Sequence, residues 1–363
     1  MKILHLTKFF YPDIGGIETV TKNICDNLSK IPNYTVDVVC FSKKQKKKNI
    51  RYRIFTLKYK KIFSTPLSFD FIEFFKIIRN KYDFLHIHLP NPMMVIMLFL
   101  FRKNEKIIIH WHTDILSYDF LKFLFKPFEY WILKNSYKII VTSKNYLDSS
   151  TELTHFKKKT SIISPTTYDL DKIKIKKVPN FFKKKKKDKK IILFVGRLVK
   201  YKGLYQFLQN INLLSDDCIF VIVGKGPEKI KLNTLIKNIN LEKKVIFIER
   251  LKFSEYVYLL KKSFLFVLPS LTRQEAFGMV LIEALSVGLP IINFNIEGSG
   301  VNFVNKNNLT GFNIELLNYE EFFNKINMLL LDKKIYRTLR KNSKVRFKKL
   351  FHIEKISIKK IYE

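Results

Sequence analysis

Short runs rich in β-branched and aromatic residues alternate with helix-length stretches, and this alternation constrains the fold more than any other feature of the chain. Such alternation is typical of parallel, doubly wound sheets. In the first half, the runs that predict strands are residues 2–7, 35–41, 84–88, 106–110 and 138–142. In the second half they are residues 191–195, 219–223, 245–248, 264–268 and 290–294. We therefore predict an α/β fold with two Rossmann-like halves, whose ligands bind at the carboxyl ends of the strands.

A lysine-rich run separates the two sets of strands. The strand pattern lapses after Pro165, and residues 181–190 (FFKKKKKDKK) form a charge run that does not suit a packed core. A chain of 363 residues is also long enough for two cores. We expect two domains that face each other across a cleft. The predicted ranges are 1–175 for the first domain, 176–190 for a basic linker, 191–340 for the second domain, and 341–363 for a helical segment that crosses back to the first domain.

The chain is strongly basic. Lys and Arg number 67 against 31 Asp and Glu, which gives a formal net charge of +36. Such an excess attracts the phosphates of nucleic acid, anionic lipid or a nucleotide. An AT-rich genome would raise Lys together with Asn, Ile and Phe and explains the excess equally well. A basic nucleic-acid-binding protein is the leading non-enzyme alternative, but no recognised reading module is present, so no nucleic-acid partner is expected.

Cysteine usage and hydropathy indicate the compartment. Cys25, Cys40 and Cys218 are odd in number and lack metal-like spacing, which favours a reducing cytoplasm over a disulfide framework. The N-terminal residues lead straight into polar sequence, unlike a signal peptide. The longest apolar run, residues 93–101, is about half of the ~20 residues that a membrane span needs. We expect a cytoplasmic protein without a transmembrane helix.

Gly15 and Gly16 follow the first predicted strand and open a predicted helix that runs to residue 29. Paired glycines let backbone N–H groups approach an anion or a sugar, and the N-terminus of the helix adds a favourable dipole. An ordinary strand-to-helix turn explains the pair about as well.

Two loops of the second half carry further candidates. The motif GRLVKYKG places Arg197 and Lys202 directly after a buried strand, where two cations can hold a pyrophosphate leaving group without a metal. In so basic a chain, either cation is also explained as surface charge. The next strand ends in VGKGP, in which Gly224 and Gly226 either lie against a nucleotide base or form a tight turn. This motif lacks the full dinucleotide fingerprint.

The most specific segment is LPSLTRQEAFGMVLIEALSVGLP at residues 268–290, which reads as a strand, a polar loop and a helix that starts near Ala276. The positive end of such a helix suits a phosphate. The amides that this end would offer belong to Phe277, Gly278, Met279 and Val280.

Two carboxylates flank that helix end. Eight residues of helix rise about 12 Å, roughly the span from the sugar of a nucleotide sugar to its ribose. We therefore predict that Glu275 and Glu283 each bind a pair of hydroxyls. Alternatively, Glu275 only complements the helix dipole and Glu283 lies on a solvated face. Glu283 stands in an apolar run, where an unpaired carboxylate is costly, and this favours the binding role.

Histidines gather at the ends of two predicted strands that are candidates for neighbours. The set comprises His86, His88, His110 and His112, with Asp114 close by. Such a set can ligate zinc. Alternate strand residues are also ordinary core histidines, and no acidic third ligand is secure. We predict no metal, and a hydrogen bond from His112 to the sugar of the donor.

Together these segments resemble glycosyltransferase family 4, the retaining enzymes of the GT-B fold also called glycosyl transferases group 1, over nearly the whole chain. The order and spacing of the segments carry the resemblance. The matching segments are Gly15-Gly16, DFLHIHLP at 83–90, HWHTD at 110–114, GRLVKYKG at 196–203, VGKGP at 223–227 and the long segment at 269–290.

The resemblance implies a role for each matching residue. Arg197 and Lys202 would bind the donor diphosphate, Glu275 would bind the hydroxyls of the transferred sugar, and Glu283 would bind the ribose. The resemblance also implies retention of anomeric configuration without an enzymic nucleophile, with the departing phosphate assisting the acceptor hydroxyl. No bound divalent ion and no cofactor would be needed.

Gly16 and His112 would lie at the reacting sugar. The implied reaction moves a hexose from a UDP- or GDP-linked donor to a glycan or lipid-linked acceptor, in the synthesis of cell-envelope polysaccharide or glycolipid. A GT-B-type sugar phosphorylase and a nucleotide-sugar epimerase remain the enzyme alternatives, because function must be argued from the site.

The sequence departs from the family pattern in two places. Residues 165–169 read PTTYD where the family often has PNGVD, and residues 248–251 read IERL where the family commonly has a glycine near the base. The base preference therefore does not carry over. We interpret Asp169-Leu-Asp171, which looks like a metal-binding Asp-x-Asp motif, as part of the linker because no strand pattern immediately precedes it.

Residues 120–134 predict a helix with Lys122, Lys126 and Glu129 on one face and large apolar residues around the rest, and residues 68–79 are similarly aromatic. This surface either rests on an anionic membrane or packs against its own sheet. Action on lipid-linked acceptors favours the membrane, with the protein peripheral at the inner face of the plasma membrane.

Overall fold

The chain forms two compact units, Met1–Pro165 with Ile356–Glu363, and Thr166–Lys355. Each unit has its own parallel sheet flanked by helices, so the predicted α/β fold with two sheets is confirmed. The computed structural model describes residues 1–13, 15–42, 51–62, 65–78, 80–114, 119–175, 189–355 and 358–363.

The first unit contains a seven-stranded parallel sheet. Its strands are β1 (Lys2–Thr7), β2 (Thr35–Phe41), β3 (Arg53–Leu57), β6 (Phe84–Leu89), β7 (Lys106–Trp111), β8 (Ser136–Val141) and β9 (Thr160–Ile162), and a short hairpin pairs β4 (Lys60–Ile62) with β5 (Thr65–Leu67). The order across the sheet is β3-β2-β1-β6-β7-β8-β9. β6 is buried along its whole length, as expected of a central strand covered on both faces. The α-helices are Gly16–Leu28, Asp70–Ile78, Pro92–Phe101, Asp119–Asn135, Lys144–Ser149 and Lys359–Tyr362.

The second unit contains a six-stranded parallel sheet. Its strands are β10 (Lys190–Val195), β11 (Cys218–Val223), β12 (Val245–Ile248), β13 (Leu265–Leu268), β14 (Ile291–Phe294) and β15 (Gly311–Ile314). The order is β12-β11-β10-β13-β14-β15, with one large apolar core around the sheet. The α-helices are Leu204–Gln209, Lys229–Asn238, Phe253–Lys262, Met279–Ser286, Val301–Val304, Tyr319–Leu331 and Lys333–Arg346.

Both sheets reverse their winding direction at the first strand, between β1 and β6 in one unit and between β10 and β13 in the other. Open α/β sheets bind ligands outside the carboxyl ends of the strands at such a reversal. The loops that follow these strands carry the sequence motifs, so the topology directs attention to the same segments as the sequence does.

The predicted strands are all present, each within about two residues of its predicted ends, whereas β3, β4, β5, β9 and β15 were not predicted. The unit boundary at Pro165 lies before the predicted end of the first domain at residue 175. Of the predicted linker, residues 176–188 lie outside the described part of the chain, and Lys190 opens β10.

The second unit continues to Lys355, past the predicted limit at residue 340, because the helix Lys333–Arg346 runs through that position. The last residues return to the first unit, where the Tyr362 hydroxyl lies 2.8 Å from Nδ1 of His86. Among the helices that the structure describes, none combines the length and apolar character needed to cross a membrane.

Candidate functional site

The two predicted phosphate-binding cations occupy different environments. Arg197 follows β10 and is exposed, and its side chain makes no hydrogen bond or ion pair within the described residues. Lys202 is only 6% exposed, and its Nζ forms an ion pair with Oε2 of Glu275. Arg197 is thus available to a ligand, whereas Lys202 already has a counter-charge.

Glu275 is held in place from several directions. Its Oε2 also accepts a hydrogen bond of 3.0 Å from Oγ of Ser270, while Oγ of Ser299 donates to its backbone carbonyl. Both side-chain contacts use Oε2, so Oε1 remains available within the described part of the chain. The sequence predicted Lys202 and Glu275 as separate ligands, and the structure joins them across 73 positions of the chain.

Main-chain packing explains the glycines of the VGKGP motif. A Cβ atom at Gly224 would overlap the carbonyl oxygen of Gly196, and one at Gly226 would overlap the main chain of Leu198. The loop that carries Arg197 therefore lies directly on this turn, and Leu198 N–H donates to Lys225 O at 2.8 Å. The tight-turn interpretation accounts for both glycines, and a contact with a nucleotide base stays a prediction.

The helix after the polar loop starts later than predicted. It runs from Met279 to Ser286, with Gly278 as its N-cap in the left-handed region (φ 76°), rather than starting near Ala276. The carbonyl of Ala276 accepts a hydrogen bond of 2.8 Å from the N–H of Gly300 and not from the helix. Ala276 therefore belongs to the preceding loop. The first amides of this helix, those of Met279 and Val280, precede any intrahelical acceptor and lie at its positive end.

Phe277 belongs to the core. It is 5% exposed, and its ring packs against Phe303 and Phe351 with centroids 6.4 Å and 6.2 Å away. Its side chain therefore anchors the helix start, and only its backbone is a candidate for ligand binding.

Glu283 is half-buried and has a partner, Tyr256, whose hydroxyl donates to Oε2. Burial raises the pKa of Glu283 from its ordinary 4.5 to about 7, and the hydrogen bond from Tyr256 opposes that rise. The carboxyl is therefore partly withdrawn from solvent and hydrogen-bonded, and its role in binding the ribose stays a prediction.

Gly15 and Gly16 lie where the sequence predicted them, at the start of the helix Gly16–Leu28. Gly15 is extended (φ −173°), a conformation that any residue adopts. The three atoms nearest to a Cβ there all belong to the flexible carboxylate of Glu18. Backbone geometry thus does not require glycine at this position, and its role in ligand binding stays a prediction.

Five histidines form one buried cluster in the first unit. β6 and β7 are neighbours, which brings His88 opposite His110, and pairing of β1 with β6 adds His5 opposite His86. The rings stack at centroid distances from 4.3 Å for His110 and His112 to 5.6 Å for His86 and His110. His5 was not predicted. In the sequence, His5 only alternates with Ile3 along the first strand. This alternation does not show which strand lies beside it.

Hydrogen bonds connect four of these histidines. His5 Nδ1 lies 3.0 Å from His88 Nε2, and His88 Nδ1 lies 3.0 Å from His112 Nε2. The hydroxyl of Tyr362 links His86 and His5, at 2.8 Å and 3.2 Å. Burial lowers the pKa of all five rings, to about 3 for His5 and His110, so the rings are neutral at pH 7.

For the alternative of a zinc site, the structure adds His5 to the candidate ligands, whereas the carboxylate of Asp114 has other partners. Two overlapping triads, His5–His86–His88 and His88–His110–His112, have ring nitrogens within 4.8 Å of one another. Asp114 instead accepts hydrogen bonds from Trp111 Nε1 at 2.8 Å and Ser150 Oγ at 3.0 Å. The other acidic motif is also engaged locally, since Asp169 caps its own turn and Asp171 pairs with Lys344.

The predicted membrane-facing helix divides its side chains between core and surface. Phe125, Ile132 and Leu133 are buried. Glu129 is buried and Lys126 is exposed, so these two do not share a solvated face, and the side chain of Lys122 lies outside the described atoms. The large apolar side chains left exposed here and nearby are Phe69, Ile77, Phe99, Leu100, Phe123, Leu124 and Tyr130.

Two family models match the chain. The model described as Glycosyltransferase Family 4 matches residues 14–172, and the model described as Glycosyl transferases group 1 matches residues 177–346. Together they cover the segments described above, in the same order.

Two similar proteins align along nearly the whole chain. O-antigen chain mannosyltransferase C of Escherichia coli is 28% identical over 97% of this chain and 94% of its own length. D-rhamnosyltransferase WbpZ of Pseudomonas aeruginosa is 27% identical over 97% of this chain and 92% of its own length.

Solved structures share the fold. The sucrose-phosphate synthase of Thermosynechococcus elongatus aligns with a TM-score of 0.79 at 20% identity, over 99% of this chain and 97% of that one. Anabaena HepE in complex with UDP-glucose aligns with a TM-score of 0.79 at 18% identity, over 100% of this chain and 98% of that one.

Proposed function

Because the chain belongs to glycosyltransferase family 4, we propose that it is a retaining enzyme that transfers a hexose from a UDP- or GDP-linked donor to a glycan or lipid-linked acceptor. We place the reaction in the synthesis of a surface polysaccharide. The names of the two aligned proteins support this, since one is an O-antigen mannosyltransferase and the other a rhamnosyltransferase. UDP-glucose bound to HepE supports a nucleotide-sugar donor.

The observation that carries the donor site is an exposed Arg197 next to the buried pair of Lys202 and Glu275, at the switch point of the second sheet. Arg197 would bind the diphosphate of the donor by charge-assisted hydrogen bonds, together with the amides of Met279 and Val280. These groups face the charge that develops on the diphosphate as the sugar leaves, so they would stabilise the transition state without a metal.

Glu275 would orient the transferred sugar. Its Oε2 is taken by Lys202 and Ser270, whereas Oε1 can accept from sugar hydroxyls. Lys202 would then have two roles: its ammonium group compensates the charge of Glu275 and also attracts the diphosphate of the donor. Glu283, further along the helix Met279–Ser286, would accept from the ribose.

A donor panel tests this proposal. We expect one UDP- or GDP-sugar to raise the melting temperature and to be transferred, including in the presence of EDTA because no metal step is proposed. Arg197→Ala should weaken donor binding about tenfold or more, the cost of charged hydrogen bonds, while stability stays unchanged. Arg337→Ala, at an exposed arginine of the helix Lys333–Arg346, is the matched control and should bind normally. A silent panel, or equal effects of the two variants, would count against the proposal.

We also propose that the first unit rests on an anionic membrane through the exposed apolar side chains around Phe99 and Phe123. Exposed large apolar residues in a basic chain suit such a surface. Vesicles of anionic lipid should bind the protein, and Phe123→Ser with Leu124→Ser should release it. If high salt alone abolishes binding and the double variant binds like the parent chain, the attraction is only a consequence of the net charge.

A further inference from the structure

In each hydrogen bond of the histidine cluster, one atom donates and the other accepts, and the contact with Thr21 determines which is which. A neutral imidazole has one N–H donor and one acceptor nitrogen. Thr21 Oγ1 donates its only proton to Ile17 O at 2.8 Å. Oγ1 also lies 3.2 Å from His88 Nδ1, so it must accept there, and His88 carries its proton on Nδ1.

This choice determines the neighbouring rings. His88 Nε2 has no proton, so it accepts from Nδ1–H of His5 at 3.0 Å. His5 Nε2 then accepts from the hydroxyl of Tyr362 at 3.2 Å, and that hydroxyl accepts from Nδ1–H of His86 at 2.8 Å. Each contact has one donor and one acceptor.

The far end of the chain of bonds supports the same direction independently. Nε2 of His86 is buried and has no hydrogen-bond partner among the described residues. In the direction given above, this atom is an unprotonated acceptor. In the opposite direction it would be a second orphaned N–H in the cluster, in addition to the one that His110 must carry, because neither ring nitrogen of His110 has a partner among the described residues.

At the near end, the one Nδ1–H of His88 is shared between Thr21 Oγ1 at 3.2 Å and His112 Nε2 at 3.0 Å, and both of these atoms are acceptors. We propose that His88, held by Thr21, is a positioning residue that fixes His112 as the tautomer with its proton on Nδ1, which presents Nδ1–H as a donor to an oxygen of the bound nucleotide sugar. His112 is the most exposed ring of the five, at 7%, and no hydrogen bond occupies its Nδ1 in the described part of the chain. The contact with the sugar rests on the proposed function, whereas the tautomer does not.

The ring geometry suits this hydrogen bond. The planes of His88 and His112 differ by only 16°. The N–H bond and the lone pair of a ring nitrogen both lie in the plane of the ring. Two rings of similar orientation can therefore be joined edge to edge by an N–H···N bond, as Nδ1 of His88 and Nε2 of His112 are at 3.0 Å.

Two substitutions at His88 separate positioning from packing. His88→Gln would supply the same pattern, an amide oxygen that accepts from His5 and an amide N–H that donates to His112. This variant should therefore keep the Nδ1–H tautomer of His112. His88→Met fills a similar volume but offers neither group, so it should release His112 to a mixture of tautomers.

The test reads the tautomer directly by ¹⁵N NMR of histidine-labelled protein, together with donor kinetics. We expect unmodified protein to show His112 neutral with its proton on Nδ1. His88→Met should lower kcat/KM for the sugar donor about tenfold or more, and His88→Gln should recover most of it. All three proteins should bind UDP or GDP without a sugar equally, because His112 is proposed to contact the sugar.

Several results would overturn the assignment: a proton on Nε2 of His112 in the unmodified protein, an unchanged tautomer in His88→Met, or one equivalent of bound transition metal per chain by elemental analysis. The first and last of these need no variant, so misfolding of His88→Met leaves the proposal testable. A correct tautomer without any sugar transfer would refute the proposed function and not this assignment.

Discussion

Single residues of the second unit show how a buried charge is made tolerable. Lys202 and Glu275 are both almost fully buried and compensate each other, whereas Glu283 has the hydroxyl of Tyr256 as its partner. In the first arrangement the two groups form an ion pair, and in the second burial raises the pKa of the carboxyl to about 7. The ion pair leads to a prediction about the stability of its variants, and the carboxyl of Glu283 leads to one about the pH dependence of stability.

Lys202→Met and Glu275→Gln should each lower the free energy of unfolding by about 3–5 kcal/mol, because each leaves the other charge or its partners unmatched in a buried site. The double variant should lose much less than the sum of the two, and none of the three should transfer sugar. Urea unfolding measures the cycle. Ser270→Ala is the control, which removes one hydrogen bond and should cost only about 1 kcal/mol. Additive losses in the cycle would show that the two charges do not interact.

Glu283 should make stability depend on pH. Its folded pKa of about 7 lies above its ordinary 4.5, so the folded state binds the proton more tightly. The free energy of unfolding should therefore fall as pH rises between these values, by at most about 1.4 kcal/mol per pH unit, and level off above. Melting temperatures of the parent chain and Glu283→Gln between pH 4 and 8 check this. If the variant keeps the same slope in this window, another group is responsible.

At the scale of elements, two turns that follow neighbouring strands of the second sheet pack directly against each other. The loop after β10 lies on the turn after β11, and only glycine at positions 224 and 226 leaves room for it. The position of Arg197 therefore depends on a neighbouring turn that contains no predicted catalytic group. A sequence motif can thus support a site through packing while its residues never contact the ligand.

Gly224→Ala should destabilise the protein by about 1–3 kcal/mol, since the new methyl group overlaps the carbonyl of Gly196 and must displace the loop. Donor affinity should fall as well, because Arg197 moves with that loop. Gly196→Ala is the matched control for stability: its Cβ would meet only side-chain atoms among its nearest neighbours, at 3.1 Å from the ring edge of Phe194 and 3.4 Å from Nζ of Lys202, and not main chain. Thermal melts of both variants and a donor titration of Gly224→Ala give the comparison. Equal tolerance of both changes would mean that the two turns are not in close contact.

At the scale of the whole molecule, the two units carry different natural probes. Both tryptophans, Trp111 and Trp131, belong to the first unit. Cys218 is buried in β11 of the second unit, and burial raises the pKa of its thiol to about 12. Tryptophan fluorescence therefore follows unfolding of the first unit, and labelling of Cys218 follows unfolding of the second.

A donor nucleotide should protect the second unit selectively. At a hundredfold excess over its Kd it adds about 2.7 kcal/mol to the unit that binds it. We expect UDP or GDP to shift the thermal exposure of Cys218 by several degrees and the tryptophan transition by clearly less. Mass spectrometry after pulse labelling identifies Cys218 apart from Cys25 and Cys40. Equal shifts of both probes would mean either that the nucleotide binds to both units or that the two units unfold together as one cooperative body.

The sequence by itself determined the repeating strand and helix elements, the two parallel sheets and the segments that carry the candidate chemistry. It did so because a strand that is buried on both faces leaves a continuous apolar run, as in β10, and a buried helix face leaves a periodic one. The family resemblance rests on the same local segments. Of the strands that it missed, β9 has only three residues, and β15 reads Gly-Phe-Asn-Ile, in which glycine and asparagine interrupt the apolar run.

Only the tertiary structure decided which of these side chains meet. Lys202 finds Glu275, and Tyr362 finds His5 and His86, through contacts between residues distant in the chain. A local pattern carries no record of such a partner, because the energy of an ion pair or hydrogen bond depends on distance in space and not on separation along the chain. The sequence therefore located the candidate residues. The tertiary structure determined which side chains they contact, how far they are buried, and which ring nitrogens of the histidines donate or accept hydrogen bonds.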